Sequence, residues 1–129
     1  MMLIDSNIII YAAKPEHPVL RRFIAEHSPA ISAVSYVEVL GYHKLSADER
    51  RFFTMFFDAA VVLPISSEVL EQAVNLRQAK KMTLGDALIA GTALAYDLTL
   101  VTRNTKDFDW VDGLRLLDPF APATKLPNE

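Results

Sequence analysis

The sequence predicts an α/β protein, a three-layer α/β/α sandwich around a mostly parallel sheet of about five strands. Short apolar runs alternate with longer stretches whose apolar residues recur at the spacing of amphipathic helices. Runs this apolar are typical of strands in a parallel sheet that helices cover on both faces. The length of 129 residues suits a single domain with one core.

The first part of the chain supplies two strands and a helix. Residues 2–4 are predicted to form a buried first strand that ends at Asp5, and apolar residues resume over 8–12. Pro18 suits the first turn of a helix, and the apolar side chains after it recur at helical spacing. Residues 30–34 are predicted to form the second strand.

Serine residues mark the predicted starts of the next two helices. Ser35 is expected to open a helix that continues to Tyr42. Ser46 and Glu49 have the spacing of a capping box, which predicts a second helix. Its phenylalanines have helical spacing, which favours core or dimer packing over base stacking: Phe52, Phe53, Phe56 and Phe57. A third strand is expected over 61–63.

The second half repeats the alternation. Ser66 or Ser67 is predicted to cap a helix, and Thr83 is predicted to begin another. The positions of the first of these helices that are expected to face inward are Val69, Leu70, Ala73, Val74 and Leu76. The remaining predicted elements are a fourth strand over 98–102, a short helix from Asn104 and a final strand near 114–117. We expect one domain over 1–118 and an irregular tail over 119–129.

Composition restricts the class of protein further. The chain has no cysteine, so disulfides, thiolate catalysis and cysteine-bound zinc are excluded. Its uncharged stretches are too short to span a bilayer, and Asp5 lies where a signal peptide would carry positive charge. We therefore expect a cytoplasmic protein with no membrane association. The three histidines, His17, His27 and His43, lack paired metal-ligand spacing and are expected at the surface or at helix ends.

Four acidic residues occupy related places in the predicted fold. Asp5 ends the first strand, Glu38 is expected in the first turn of the helix after the second strand, and Asp107 follows the fourth strand. Asp86 lies in the first turn of the helix before the fourth strand. Because ligands of open α/β sheets bind beyond the carboxyl ends of the strands, at least three of these acids are expected at one edge.

Each acid also has a purely structural interpretation. Glu38 and Asp86 each complete a capping-box pattern, with Ser35 and Thr83 respectively. Asp107 could be the first-turn acid of a helix capped by Asn104, and Asp5 could form an Asx turn. A buried strand-end carboxylate is costly unless it is paired or bound to a cation, however, so Asp5 is the hardest to explain structurally.

Four segments of the chain resemble, in order, the PIN-domain ribonucleases, and more narrowly the VapC-type toxins of toxin–antitoxin pairs. They are Leu3-Ile4-Asp5-Ser6-Asn7, Ser35-x-x-Glu38, residues 84–90 with Leu-Gly-Asp-Ala-Leu-Ile-Ala, and Leu100-Val101-Thr102-Arg103-Asn104-x-x-Asp107-Phe108. The resemblance extends from Met2 to about Leu117. Gly85 falls at a position that varies in the family, so the resemblance gives it no role.

The resemblance implies a metal-dependent endoribonuclease that cleaves RNA phosphodiester bonds by metal-activated water. Asp5, Glu38, Asp86 and Asp107 would be both catalytic residues and metal ligands. Ser6, Thr102 and Asn104 would support them by hydrogen bonds. The implied cofactor is Mg²⁺ or Mn²⁺, and the implied partners are RNA, an antitoxin, and a second copy in a homodimer or a larger toxin–antitoxin assembly. Asp109 and Asp112 are alternatives to Asp107, although the Asn-x-x-Asp-Phe register favours Asp107.

Physical chemistry makes this site intelligible. Clustered carboxylates repel one another, and a hard cation with oxygen ligands relieves the repulsion. The net charge of −3 does not exclude an RNA substrate, because outside the four acids the chain has 12 acids and 13 bases. Among the basic residues, Arg103 and Lys106 are predicted to bind the substrate because they flank Asp107.

Two other classes remain as alternatives. A phosphotransfer domain could use Asp5 as nucleophile, but no second aspartate lies two residues on. A catalytically idle PIN-like module could bind RNA or protein only, although retention of all four acids counts against it.

Overall fold

The computed structural model describes residues 1–121 of the chain. Five strands, β1–β5, occupy Met2–Ile4, Ala30–Ser32, Val62–Leu63, Thr99–Val101 and Leu116–Leu117. The helices α1–α6 occupy Ser6–Ala12, Pro18–His27, Ala33–Leu40, Ala47–Ala59, Ser67–Ala79 and Leu84–Ala95, and a 3-10 turn spans Thr105–Asp107. None of the helices in this described part is long and apolar enough to cross a membrane.

All five strands are parallel and lie in the order β3-β2-β1-β4-β5. The predicted α/β class with a parallel sheet is therefore confirmed. β1 lies in the centre, with Leu3 beside Leu100 and Ile4 beside Val101. From β1 the chain continues to β2 on one side of the sheet, and from β4 it continues to β5 on the other side. The connections therefore diverge between β1 and β4. This divergence opens a crevice at the carboxyl ends of the two strands.

Alternate strand residues point into two apolar cores on opposite faces of the sheet. Leu3 and Leu100 belong to the core beneath α5 and α6, and Ile4 and Val101 to the core beneath α1, α2 and α4. Within the second core, Phe53 and Phe57 are buried and Phe52 and Phe56 are partly buried. The predicted packing role of the four phenylalanines is confirmed.

Several helix starts are also confirmed. Ser46 and Glu49 form the reciprocal capping box, with the Ser46 hydroxyl accepting from the Glu49 N–H at 3.1 Å. Ser66, rather than Ser67, caps α5. Thr83 caps α6 by accepting from the Asp86 N–H at 3.1 Å.

One helix was not predicted, and the predicted inward face of another is partly wrong. Residues 6–12 form α1, a helix that the consecutive isoleucines did not reveal because they lack helical spacing. Leu70 and Val74 of α5 are exposed instead of facing inward, because α5 rests on α6 through a narrower stripe that contains Val69 and Ala73. The predicted tail is described only to residue 121, and 122–129 lie outside the described residues. The division at 118 stays a prediction.

Candidate active site at the carboxyl edge of the sheet

Asp5 lies at the crevice between β1 and β4. Its backbone N–H donates to the Val101 carbonyl at 2.9 Å, which extends the pairing of the two strands by one residue. The side chain is 7% exposed, and both of its oxygens accept hydrogen bonds. Oδ1 accepts from the Ser6 N–H at 2.7 Å and Oδ2 from the Thr102 hydroxyl at 2.9 Å. The carboxylate is therefore fixed by the start of α1 and by the residue that directly follows β4.

Thr102 is itself held in place. Its side chain is fully buried, and its hydroxyl oxygen accepts from the Asn104 N–H at 3.1 Å while its proton goes to Asp5. Asn104 thus supports the site through its backbone, and its side chain makes no capping bond to the following turn.

A chain of hydroxyls connects α1 to α3. Ser6 Oγ lies 2.6 Å from Glu38 Oε1 and 2.8 Å from Ser35 Oγ. Because an ionised carboxylate only accepts, the Ser6 proton belongs in the bond to Glu38, which leaves the Ser35 hydroxyl to donate to Ser6. Ser35 and Ser6 are buried whereas Glu38 is exposed, so the hydroxyls connect the interior to an exposed carboxylate.

The predicted start of α3 is wrong. Ser32, rather than Ser35, is the N-cap, and its hydroxyl accepts from the Val34 N–H at 3.1 Å. β2 therefore ends at Ser32, α3 begins at Ala33, and Glu38 lies in the second turn instead of the first. Ser35 and Glu38 share a face of the helix because they are three residues apart, and that face is the one presented to Ser6.

α6 approaches Glu38 through Gly85. A Cβ atom at Gly85 would lie 2.6 Å from Glu38 Oε2, so the glycine leaves the room that the carboxylate occupies. Asp86 follows in the same turn of α6 and is partly buried. The contact of α3 with α6 therefore brings Glu38 and Asp86 to the same side of the crevice, which the sequence could not show.

Asp107 reaches the site from the 3-10 turn after β4. The turn is anchored by Phe108, which is 1% exposed and whose N–H donates to the Thr105 carbonyl at 3.0 Å. Trp110 Nε1 donates to the Asp107 carbonyl at 3.1 Å. The Asp107 side chain itself is exposed.

The charges of the four acids influence one another. Burial raises the pKa of Asp5 to about 6, against the lowering effect of the bonds from Thr102 and Ser6, and the charges of Asp86 and Glu38 raise it further. Burial also raises the pKa of Asp86, followed by the charge of Asp107; the Thr83 hydroxyl lowers it and the charge of Glu38 raises it. Asp107, and not Asp109 or Asp112, is the acid of its segment that contributes to these shifts.

The atoms that this cluster offers to a ligand are those that bind a hard divalent cation. All its donors are carboxylate and hydroxyl oxygens, and a cation would relieve the repulsion that raises the two pKa values. Within residues 1–121, no three histidine, aspartate or glutamate side chains already form a cage around one point. The acids are thus close enough to affect one another's charge without forming a closed set of ligands.

The two predicted substrate-binding bases differ in their surroundings. Arg103 lies over two aromatic rings, 4.3 Å from the centroid of Phe120 and 5.1 Å from that of Tyr11. This cation–π contact joins the residue to the end of the described chain. Lys106 is exposed on the 3-10 turn beside Asp107.

Comparison with known proteins shows the family to which this chain belongs. Residues 2–114 match the sequence pattern of the PIN domain. The chain is also 31% identical to the tRNA(fMet)-specific endonuclease VapC of Shigella flexneri, with 90% of this chain and 96% of that protein covered. The chain belongs to the VapC-type PIN-domain family. The family predicted from the sequence motifs is thereby confirmed.

Solved structures resemble this VapC-type PIN domain over nearly its whole length. A toxin–antitoxin complex from Klebsiella pneumoniae contains a chain that is 30% identical, with a TM-score of 0.76 and coverage of 95% of this chain and 100% of that chain. DNA-bound VapBC from Salmonella typhimurium has a TM-score of 0.81 at 21% identity, covering 92% of this chain and 99% of that chain. At that identity, the second likeness supports the fold alone.

Proposed function

We propose that this VapC-type PIN domain is an endoribonuclease that depends on Mg²⁺ or Mn²⁺, and that it is the toxin of a VapBC-type pair. The observation that carries the proposal is Asp5, a buried carboxylate with a raised pKa at the central crevice of a parallel sheet. Its charge is influenced by Glu38 and Asp86, and Asp86 in turn by Asp107. We assign these four acids as the metal ligands.

The residues of the chain would prepare the site for this chemistry. Thr102 and the Ser6 N–H fix the two oxygens of Asp5, and the Ser6 hydroxyl orients Glu38. A divalent ion, when bound, supplies activation of a water molecule and neutralises charge that develops on the phosphate. Asp86 is partly buried and Glu38 and Asp107 are exposed, so a substrate strand can reach these three acids.

The relatives support both the reaction and the partner. The Shigella protein is named as an endonuclease specific for tRNA(fMet), and the Klebsiella chain comes from a toxin–antitoxin complex. The RNA cut by this chain is not named by these relatives. A homodimer stays a prediction, supported by exposed apolar side chains on two helices, Tyr36 and Val37 on α3 and Leu70 and Val74 on α5. The cytoplasmic location likewise stays a prediction.

Calorimetric titration of Mn²⁺ into chelator-treated protein tests the metal dependence. We expect saturable binding at pH 7 and a rise of several degrees in Tm, because a ligand that binds only the folded state stabilises it. A labelled RNA should be cut in Mn²⁺ and remain intact in EDTA. Absence of metal binding would exclude the mechanism, and RNA binding without cleavage would favour the catalytically idle module.

A phosphotransfer role for Asp5 is less consistent with the geometry. Both carboxylate oxygens accept hydrogen bonds from fixed donors, and the side chain is buried. A phospho-acceptor needs an accessible oxygen to attack a phosphoryl group.

Gly85→Ala tests whether the position of Glu38 matters. The added Cβ would displace the flexible end of Glu38 and break its bond to Ser6, whereas alanine favours the helix over glycine. We expect cleavage to fall roughly tenfold, the loss that removal of one oriented group causes, with Tm unchanged or raised. The exposed neighbour Leu84→Ala is the control and should leave cleavage unaltered. Normal cleavage by Gly85→Ala would show that Glu38 need not occupy its present position.

A further inference from the structure

A second surface feature adjoins the acids. A cavity of about 580 Å³ lies between the end of α5 and the start of α6. It is lined by Arg77, Lys81, Met82, Thr83, Asp86 and Asp107. Two cationic side chains and two of the four acids therefore open onto one space, although the cations are far from Asp107 in sequence.

Arg77 is oriented within this cavity. Its Nε donates to the Met82 carbonyl at 3.3 Å, which fixes the guanidinium to the connection between α5 and α6 and leaves its other N–H groups for a ligand. Among residues 1–121, neither Arg77 nor Lys81 forms an ion pair; the pairs found there join Arg51 to Asp48 and Arg115 to Asp97. The two cations thus face Asp86 and Asp107 across the cavity without neutralising them.

Two of the neighbouring bases contact aromatic rings instead. Lys80 Nζ lies 5.4 Å from the centroid of the Trp110 ring, and Arg103 lies over Phe120 and Tyr11. Sequence proximity to Asp107 favoured Arg103 as a phosphate ligand, but Arg77 and Lys81 are the bases that share a cavity with the acids.

We propose that Arg77 and Lys81 form a phosphate-binding subsite for the RNA strand next to the bond that is cleaved. This inference rests on the proposed function. A guanidinium with fixed orientation matches the paired oxygens of a phosphodiester, and a lysine beside it adds a second cation for the next phosphate. A polyanion that reached the acids would be repelled unless cations nearby held its backbone. The subsite therefore accounts for substrate binding by a chain with a net charge of −3.

The test compares two double variants that remove the same charge. Arg77→Gln/Lys81→Gln keeps polar side chains in the cavity, and Arg22→Gln/Arg50→Gln removes two exposed arginines from α2 and α4. Anisotropy of a fluorescein-labelled single-stranded RNA of mixed sequence is measured in EDTA, so that binding is read without cleavage. We expect the first variant to bind roughly tenfold more weakly and to lose about 1.4 from the slope of log affinity against log salt, since each phosphate contact contributes about 0.7. In Mn²⁺, its KM should rise more than its kcat falls.

The outcomes separate this inference from the proposed function. Equal losses of RNA affinity in the two double variants would overturn the subsite. An unchanged RNA affinity in Arg77→Gln/Lys81→Gln, at an unchanged Tm, would overturn it as well. If Arg77→Gln/Lys81→Gln kept its RNA binding but lost binding of polyglutamate, the subsite would also be overturned, because the cavity would then bind an acidic protein. Selective loss of RNA binding supports the subsite even if the wild-type protein fails to cut RNA in Mn²⁺, a result that would overturn the nuclease function alone.

Discussion

Asp5→Asn should lower RNA cleavage by at least about 10³-fold, because loss of a metal ligand removes several kcal/mol of charge stabilisation from the transition state. The fold should survive the change. Asn Oδ1 can accept from the Ser6 N–H, and the Thr102 hydroxyl can accept from the new Nδ2 group in place of donating. Near-normal cleavage by folded Asp5→Asn protein would contradict the site assignment.

The same variant should be more stable than the wild type at pH 7 without metal. The pKa of Asp5 is about 6 in the folded protein, against 3.8 for an unperturbed aspartate. Between pH 3.8 and pH 6 the folded state therefore keeps a proton that the unfolded state has released. The contribution of Asp5 to stability is therefore fully present below pH 3.8 and is lost as the pH rises through 6. The loss amounts to about 3 kcal/mol, and asparagine avoids it.

Urea unfolding at pH 4 and pH 7 in EDTA measures this effect. The advantage of Asp5→Asn should be small at pH 4 and large at pH 7, and Mn²⁺ should stabilise only the wild-type protein. Asp58→Asn, which changes an exposed acid on α4, is the matched control and should shift stability by less than about 0.5 kcal/mol. An advantage that did not depend on pH would point to a cause other than the buried charge.

Phe108→Ala should reduce the free energy of unfolding by about 3–5 kcal/mol, a large share of the total stability of a small domain. Phe108 is one of the largest fully buried side chains and packs in the same core as Leu100 and Val111. It also directly follows Asp107, so its loss should loosen the 3-10 turn that carries this acid. Cleavage should therefore fall even at temperatures where the variant is folded.

Urea unfolding and cleavage assays at low temperature test both parts of this prediction. Phe108→Leu keeps an apolar side chain and should lose less stability than Phe108→Ala. Met55→Ala removes an exposed side chain and should stay within about 0.5 kcal/mol of the wild type. A small stability loss in Phe108→Ala would mean that the core closes around the space without cost.

The sequence predicted the features of this fold that depend on local rules. β1 and the strand-end position of Asp5 follow from a short apolar run, and the helix starts at Ser46 and Thr83 follow from their capping patterns. Ser35 shows where such rules fail. Ser32 and Ser35 both suit a helix start, and the choice depends on the bond from Ser35 to Ser6, which forms only because β1 and β2 are neighbours.

The surroundings of the acids required tertiary structure for the same reason. Gly85 carried no signal in the sequence, yet its missing side chain gives Glu38 its room. Asp86 comes before its strand, and only the packing of α6 against α3 brings it to the crevice. The grouping of Arg77 and Lys81 with Asp107 depends on the return of the chain through α6 and β4.

The central position of β1 has a consequence for how the protein is made. Asp5 and Thr102 are separated by 97 positions, so β1 must wait for the much later synthesis of β4 before the two can pair. Pairings between such distant segments form slowly. A growing chain therefore has no assembled site until β4 has been synthesised.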